Sequence, residues 1–239
     1  MPFSKTVFFT ISSPLVYRNL FFFPGSVFNK LKNLVEEKNL RFVFLVQKKD
    51  VEKYSNFLKD SLGNRFIVEG VKVSPPKNFL QKVFYFFYSY FIYTGTTHTL
   101  ATLGVRPDEP PAGGKRWLAP VKIFIAKTFG RSDWLRKKVV PSLYAKIFFP
   151  RPFADLFQKY TPNLVFLAHI YGNYDIQLLA EAKKRGVKTL GMASNWDHFD
   201  KYYLPLRPDF LLAQSEQVKD FAIKYQSYNS KDIEVIGYP

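Results

Sequence analysis

Five consecutive residues, Ser194-Asn195-Trp196-Asp197-His198, set an amide, an indole, a carboxylate and an imidazole side by side where the apolar run 187–192 ends. Such a run predicts a buried strand, and in open α/β sheets ligands bind in the crevice outside the carboxyl ends of the strands. Trp196 offers a stacking face for a sugar or base and Asp197 a charge. His198 offers a group that titrates near neutral pH and suits proton transfer. The same residues also fit a turn in which Asn195 and Asp197 satisfy local backbone and Trp196 plugs the sheet edge.

A second constellation follows the apolar run 164–168, where His169, Tyr171, Gly172 and Asn173 lead into a helix beginning near Asp175. The free N–H groups and positive dipole end of that helix favour a phosphate or carboxylate. His169 and residues 195–198 then border one cleft. The plainer alternative makes Asp175 a helix cap and His169 a hydrogen-bonded wall residue. A third candidate is the loop after the first strand, 12–26, where Gly25 permits close backbone approach to a ligand and Arg18 can pair with an anion. It lacks Gly-x-Gly-x-x-Gly and a P-loop Lys, and it reads equally as a surface loop pinned by aromatics.

The elements that must hold these residues are short β-branched and aromatic runs at 6–12, 41–46, 65–73, 164–168, 188–192, 210–213 and 234–236. Helix-period segments at 27–38, 175–185 and 216–225 alternate with them. The pattern predicts an α/β fold: a Rossmann-like parallel sheet with helices on both faces, as one domain over residues 1–239. Residues 75–152 break the rhythm and read as a helical insertion. It comprises an aromatic helix over 78–93, a Pro/Gly-rich loop over 106–114, and a basic region over 115–151 with ten Lys or Arg against one acid, Asp133.

Lys and Arg outnumber Asp and Glu by 35 to 19 in 239 residues, a net charge of +16, which favours an anionic partner. No nucleic-acid recognition module is present, so nucleic acid is not the expected one. The segment 79–93 is apolar over most of its circumference beside the basic region. That suits a helix lying on an anionic membrane, or equally a core helix. No cysteine and three histidines leave no thiolate site and little for a His-rich metal site; no metal and no cofactor are expected. The start of the chain lacks a signal-peptide pattern and no window is apolar enough to span a bilayer. The expected location is therefore cytoplasmic, peripheral on the inner face of the membrane.

With these residues in view, the run Ser194-Asn195-Trp196-Asp197, then Leu204-Pro205-Leu206-Arg207-Pro208-Asp209-Phe210-Leu211-Leu212, Ser215-Glu216-Gln217, Ala222 and Ile233-Glu234-Val235-Ile236-Gly237 resembles bacterial GT-B transferases. Within them it is similar to the CDP-glycerol glycerophosphotransferase-like and cell-envelope glycosyltransferase group, related in fold to UDP-N-acetylglucosamine 2-epimerases. The resemblance covers 163–239. Asn195 is inserted relative to the group's Ser-Trp-Asp-Asn turn, and His198 stands where that pattern often has Asn.

The resemblance implies the N-terminal, acceptor-side domain of a GT-B architecture. The nucleotide-activated donor would be held mainly by a C-terminal domain absent from this chain, and the acceptor would be a cell-envelope glycan or lipid-linked molecule. Asn195, Trp196 and Asp197 carry over as cleft residues. The expected base is His169 or Asp197, with Arg18, Gly25, Tyr171, Gly172, Asn173, Asn195, Trp196 and His198 contacting substrate. A sugar-nucleotide epimerase-like enzyme using Asp175, Asp197 or Asp200 is the rival. A non-catalytic membrane-associated or nucleic-acid-binding protein is another.

Overall fold

The computed structural model describes the chain apart from residues 1–3, 14–15, 19–26, 59–62, 64, 105–115, 150, 194, 196 and 238–239 and the side chain of Phe57. All seven expected strands form: β1 (Lys5–Ile11), β2 (Leu40–Gln47), β3 (Phe66–Val71), β4 (Leu164–Leu167), β5 (Lys188–Met192), β6 (Phe210–Ala213) and β7 (Ile233–Val235). They make one parallel sheet in the order β3-β2-β1-β4-β5-β6-β7. The chain runs outward from β1 to β3, returns to the middle, and runs outward again from β4. The sheet therefore has a switch point between β1 and β4, the topology of a Rossmann-like fold.

Strand periodicity divides the core in two. Phe8, Val43, Leu45, Val165 and Leu167 face one apolar layer, while Val7, Phe9, Phe42, Phe44 and Val46 face the other. Alternate residues of one strand point to opposite faces, so a strand buried on both sides must be apolar throughout. Aromatic packing completes the second layer, with the rings of Phe44 and Phe66 stacked at 6.0 Å.

The helices α1 (Val27–Glu37), α2 (Val51–Phe57), α3 (Phe79–Ser89), α4 (Gly95–Leu103), α5 (Ala119–Lys127), α6 (Val140–Ile147), α7 (Ala154–Tyr160), α8 (Asn173–Lys184), α9 (His198–Lys201) and α10 (Glu216–Gln226) cover the sheet. The aromatic helix is shorter than its apolar run: α3 starts behind the Asn78 cap, which accepts from Gln81 N, and stops at Ser89, whose hydroxyl bonds back to Tyr85 O. Beyond it Tyr90, Phe91 and Ile92 are buried outside any helix or strand. Hydrophobicity alone cannot separate a helix from a buried strap of this kind.

The helix α2 and the helices between α3 and β4 were not individually resolved by sequence period. A buried ion pair anchors their far end to α8: Arg151 Nε donates to Glu181 at 2.8 Å, and Glu181 also accepts from Arg185 at 2.6 Å. Among the described residues no helix is long and apolar enough to cross a membrane.

Candidate functional site

The carboxyl ends of β1, β4 and β5 converge at the switch point. Thr10 of β1 accepts a hydrogen bond from Ala168 N at 3.1 Å, which locks the end of β1 to the first residue past β4. From there His169, Tyr171 and Gly172 lead into α8. Gly172 is the N-cap, and Asp175 lies in the first turn, where the dipole favours an acid.

Asp175 is more than a cap. It is 0 % exposed, and neither carboxylate oxygen has a protein partner at hydrogen-bond geometry. Burial pushes its pKa up to about 7, although the hydroxyls of Ser12 and Thr10 and its own amide are near enough to offset part of that rise. Gly172 separates it from His169: a Cβ on Gly172 would stand 2.9 Å from Asp175 Oδ2 and 3.3 Å from His169 Cδ2. The backbone of Gly172 is ordinary (φ −69°), so the glycine serves close approach and not a left-handed turn.

His169 and His198 come together, as the two sequence constellations require, with ring centroids 5.8 Å apart. Burial lowers His169 to about 4; burial first, and His169 second, lower His198 to about 4. Both are therefore neutral near pH 7. Tyr171 packs edge-on to His198 at 4.9 Å, and its buried hydroxyl has no protein partner. Asn195 is exposed and places Nδ2 3.3 Å from His198 Nε2.

The remaining expected site residues divide. Asp197 is ion-paired to Lys201, one turn along α9. Asn173 donates to Ser74 O at 2.8 Å and accepts from Gln177 at 3.2 Å, so its amide is largely spent on structure although it still lines the cavities. Arg18 is exposed and lines none of the cavities described below. Gly25 and Trp196 lie outside the described residues. Asp200 accepts from Thr96 Oγ1 at 3.0 Å and ties α9 to α4.

Four adjoining cavities cross this end of the sheet. One of about 300 Å³ is walled by His169, Tyr171, His198, Tyr88 and Tyr202. It shares Tyr85, Tyr88 and Tyr171 with an aromatic cavity of about 700 Å³ that runs out past Phe79 and Val83 of α3. In the other direction His169 and Gly172 border a cavity of about 340 Å³ against Ser12, Ser13 and Asp175. Ser12, Ser13 and Gln47 then lead into one of about 760 Å³ that carries Lys48, Lys49, Lys53 and Lys72. The site is thus apolar and aromatic at one end, cationic at the other, with imidazole and carboxyl groups between. Among the described residues no group of three His, Asp or Glu could hold a metal ion.

Two residues of this arrangement escaped the sequence: Asp175 as a buried acid, and Gln226 of α10. The latter is buried and donates to Phe199 O at 3.0 Å and Tyr202 O at 2.7 Å while accepting from Leu204 N at 3.0 Å. It thereby clamps the segment that carries His198. Only the run of buried polar contacts reveals it; a Gln at the end of an amphipathic helix carries no such signal.

No protein-family model and no curated protein matches the chain. Among solved structures it is similar to Arabidopsis thaliana UGT89C1. The complex with UDP aligns over 98% of this chain at 13% identity and a TM-score of 0.39. The complex with quercetin aligns at 12% and 0.40, and the complex with UDP-L-rhamnose at 13% and 0.41. The alignments cover 48%, 50% and 48% of those chains, so this chain spans about half their length.

Proposed function

We propose that this domain binds the acceptor of a group-transfer enzyme, a glycosyltransferase or glycerophosphotransferase, and that the acceptor is an amphiphile with an anionic group. The observation that carries the reading is the continuous cavity system over the switch point, with His169 and Asp175 at its middle. Its aromatic arm fits an apolar chain, and the four lysines fit a phosphate or carboxylate. His198, directly after the Asp197 of the run that resembles GT-B transferases, lines the same cleft.

In this reading the acceptor hydroxyl lies in the His169 cavity. His169, neutral at working pH, takes the hydroxyl proton as the oxygen attacks the activated carbon or phosphorus of the donor, whose bond to its nucleotide leaving group breaks. Asp175, which lines the adjoining 340 Å³ cavity on the other side of Gly172, acts as a positioning residue for His169.

The test is binding and transfer. Decyl phosphate should perturb the intrinsic tyrosine fluorescence more strongly than decanol, and replacing Lys48, Lys49 and Lys72 by Ala should remove the difference. In the natural full-length gene product, nucleotide release from activated donors should require the acceptor and fall about 10²-fold or more in His169→Ala. Equal binding of decanol and decyl phosphate, or turnover indifferent to His169, would sink the proposal.

A further inference from the structure

Several of the exposed apolar side chains between β3 and β4 fall in a row. The exposed Phe79 and Val83 and the half-buried Phe87 recur at every fourth residue of α3, and Phe87, which also packs on the core, continues through Phe129 to Phe124 of α5 by ring contacts of 5.3 Å and 6.1 Å. Val121 and Trp117 prolong the line along α5 and the 3₁₀ turn Arg116–Leu118. Phe79 is 83% exposed, Trp117 73% and Phe124 59%. Single exposed apolar residues are ordinary, but a connected row of large ones marks an interaction surface. Lys82, Arg116, Lys127 and Arg131 flank it, all exposed.

We infer that this face docks on an anionic lipid bilayer, the aromatic row at the headgroup boundary and the flanking cations against lipid phosphates. Charge selects this occupant over a second copy of the chain, because two such faces brought together would oppose their own lysines and arginines. The inference stands apart from the transfer reading, yet it gives the site an orientation: Phe79, Lys82 and Val83 also wall the outer end of the 700 Å³ cavity, whose inner end reaches Tyr171. Docked through this row, the protein opens that cavity towards the membrane.

The experiment is co-sedimentation with phosphatidylcholine vesicles prepared with and without phosphatidylglycerol. The protein should partition onto the anionic vesicles and be released by salt. The double variant Phe79→Ser, Phe124→Ser should bind at least tenfold more weakly, and Lys82→Gln or Lys127→Gln about fivefold more weakly each. Phe210→Ser, an exposed phenylalanine at the amino end of β6, serves as the control and should bind like the parent; circular dichroism confirms that each variant is folded. Absence of anionic-vesicle binding, binding indifferent to Phe79 and Phe124, or concentration-dependent self-association through the row in place of vesicle binding each overturns the inference.

Discussion

His169 and Asp175 face each other across a single glycine: atoms of both side chains lie within 3.3 Å of the point a Cβ would occupy on Gly172. An imidazole held neutral and a carboxyl held near neutrality thus share one wall of the switch-point crevice, and burial is the dominant cause in both.

Replacing Gly172 by Ala tests that contact directly. Because the backbone there is ordinary, the methyl acts only by displacement. The variant should lose about 1–3 kcal/mol of stability in chemical denaturation and should move the His169 ring resonances in NMR. An unchanged His169 spectrum would contradict the packing described.

Asp175 should destabilise the fold above mid-acid pH. The folded protein keeps its proton up to about 7, whereas the unfolded chain releases it near 3.8, so stability falls as pH rises between those values. Asp175→Asn should therefore be more stable than the parent at pH 8, on the order of 1–3 kcal/mol, and equal to it near pH 4. On the transfer reading proposed above, activity should fall in the same variant and lose its inflection near pH 7.

The histidines slope the other way. His169 and His198 stay neutral in the fold down to about 4 but protonate near 6.5 when unfolded, so their contribution is complete above 6.5 and is lost as pH drops towards 4. Two histidines outweigh one aspartate over that window, and the parent should be most stable near pH 6.5 with respect to these groups. His198→Gln should flatten the acid limb; urea midpoints measured from pH 4 to pH 8 separate the cases.

Gln226 should matter more than its position at a helix end implies. Gln226→Leu leaves Phe199 O, Tyr202 O and Leu204 N without their partner, which should lower stability by about 2–3 kcal/mol. Amide exchange over 198–204 should accelerate while that of β4 and β5 does not. A uniform change across the sheet would point to global destabilisation without a local clamp.

The sheet was legible because each strand is a short β-branched or aromatic run bounded by polar turns, and because strands buried on both faces have no alternative composition. The pairing of His169 with His198 was legible for the same reason: both follow strands that end on one side of the sheet. Asp175 was not, since its environment is made by Thr10 and Ser12, more than 160 residues earlier. In sequence a first-turn Asp reads as a cap whether it meets water or a closed pocket. The short helix α2 was missed because Val51–Phe57 is half polar and too brief to show a period.

The central pairing of the sheet joins distant parts of the chain: Val7 lies beside Leu164, Phe8 beside Val165 and Phe9 beside Phe166. During synthesis β1, β2 and β3 are complete long before their neighbour emerges. Until then β1 presents a free edge of Val7, Phe8 and Phe9, apolar on both faces and open to any other strand. The folding of this domain is therefore gated by chain order, and its period of greatest exposure to aggregation is the translation of the helical segment that precedes β4.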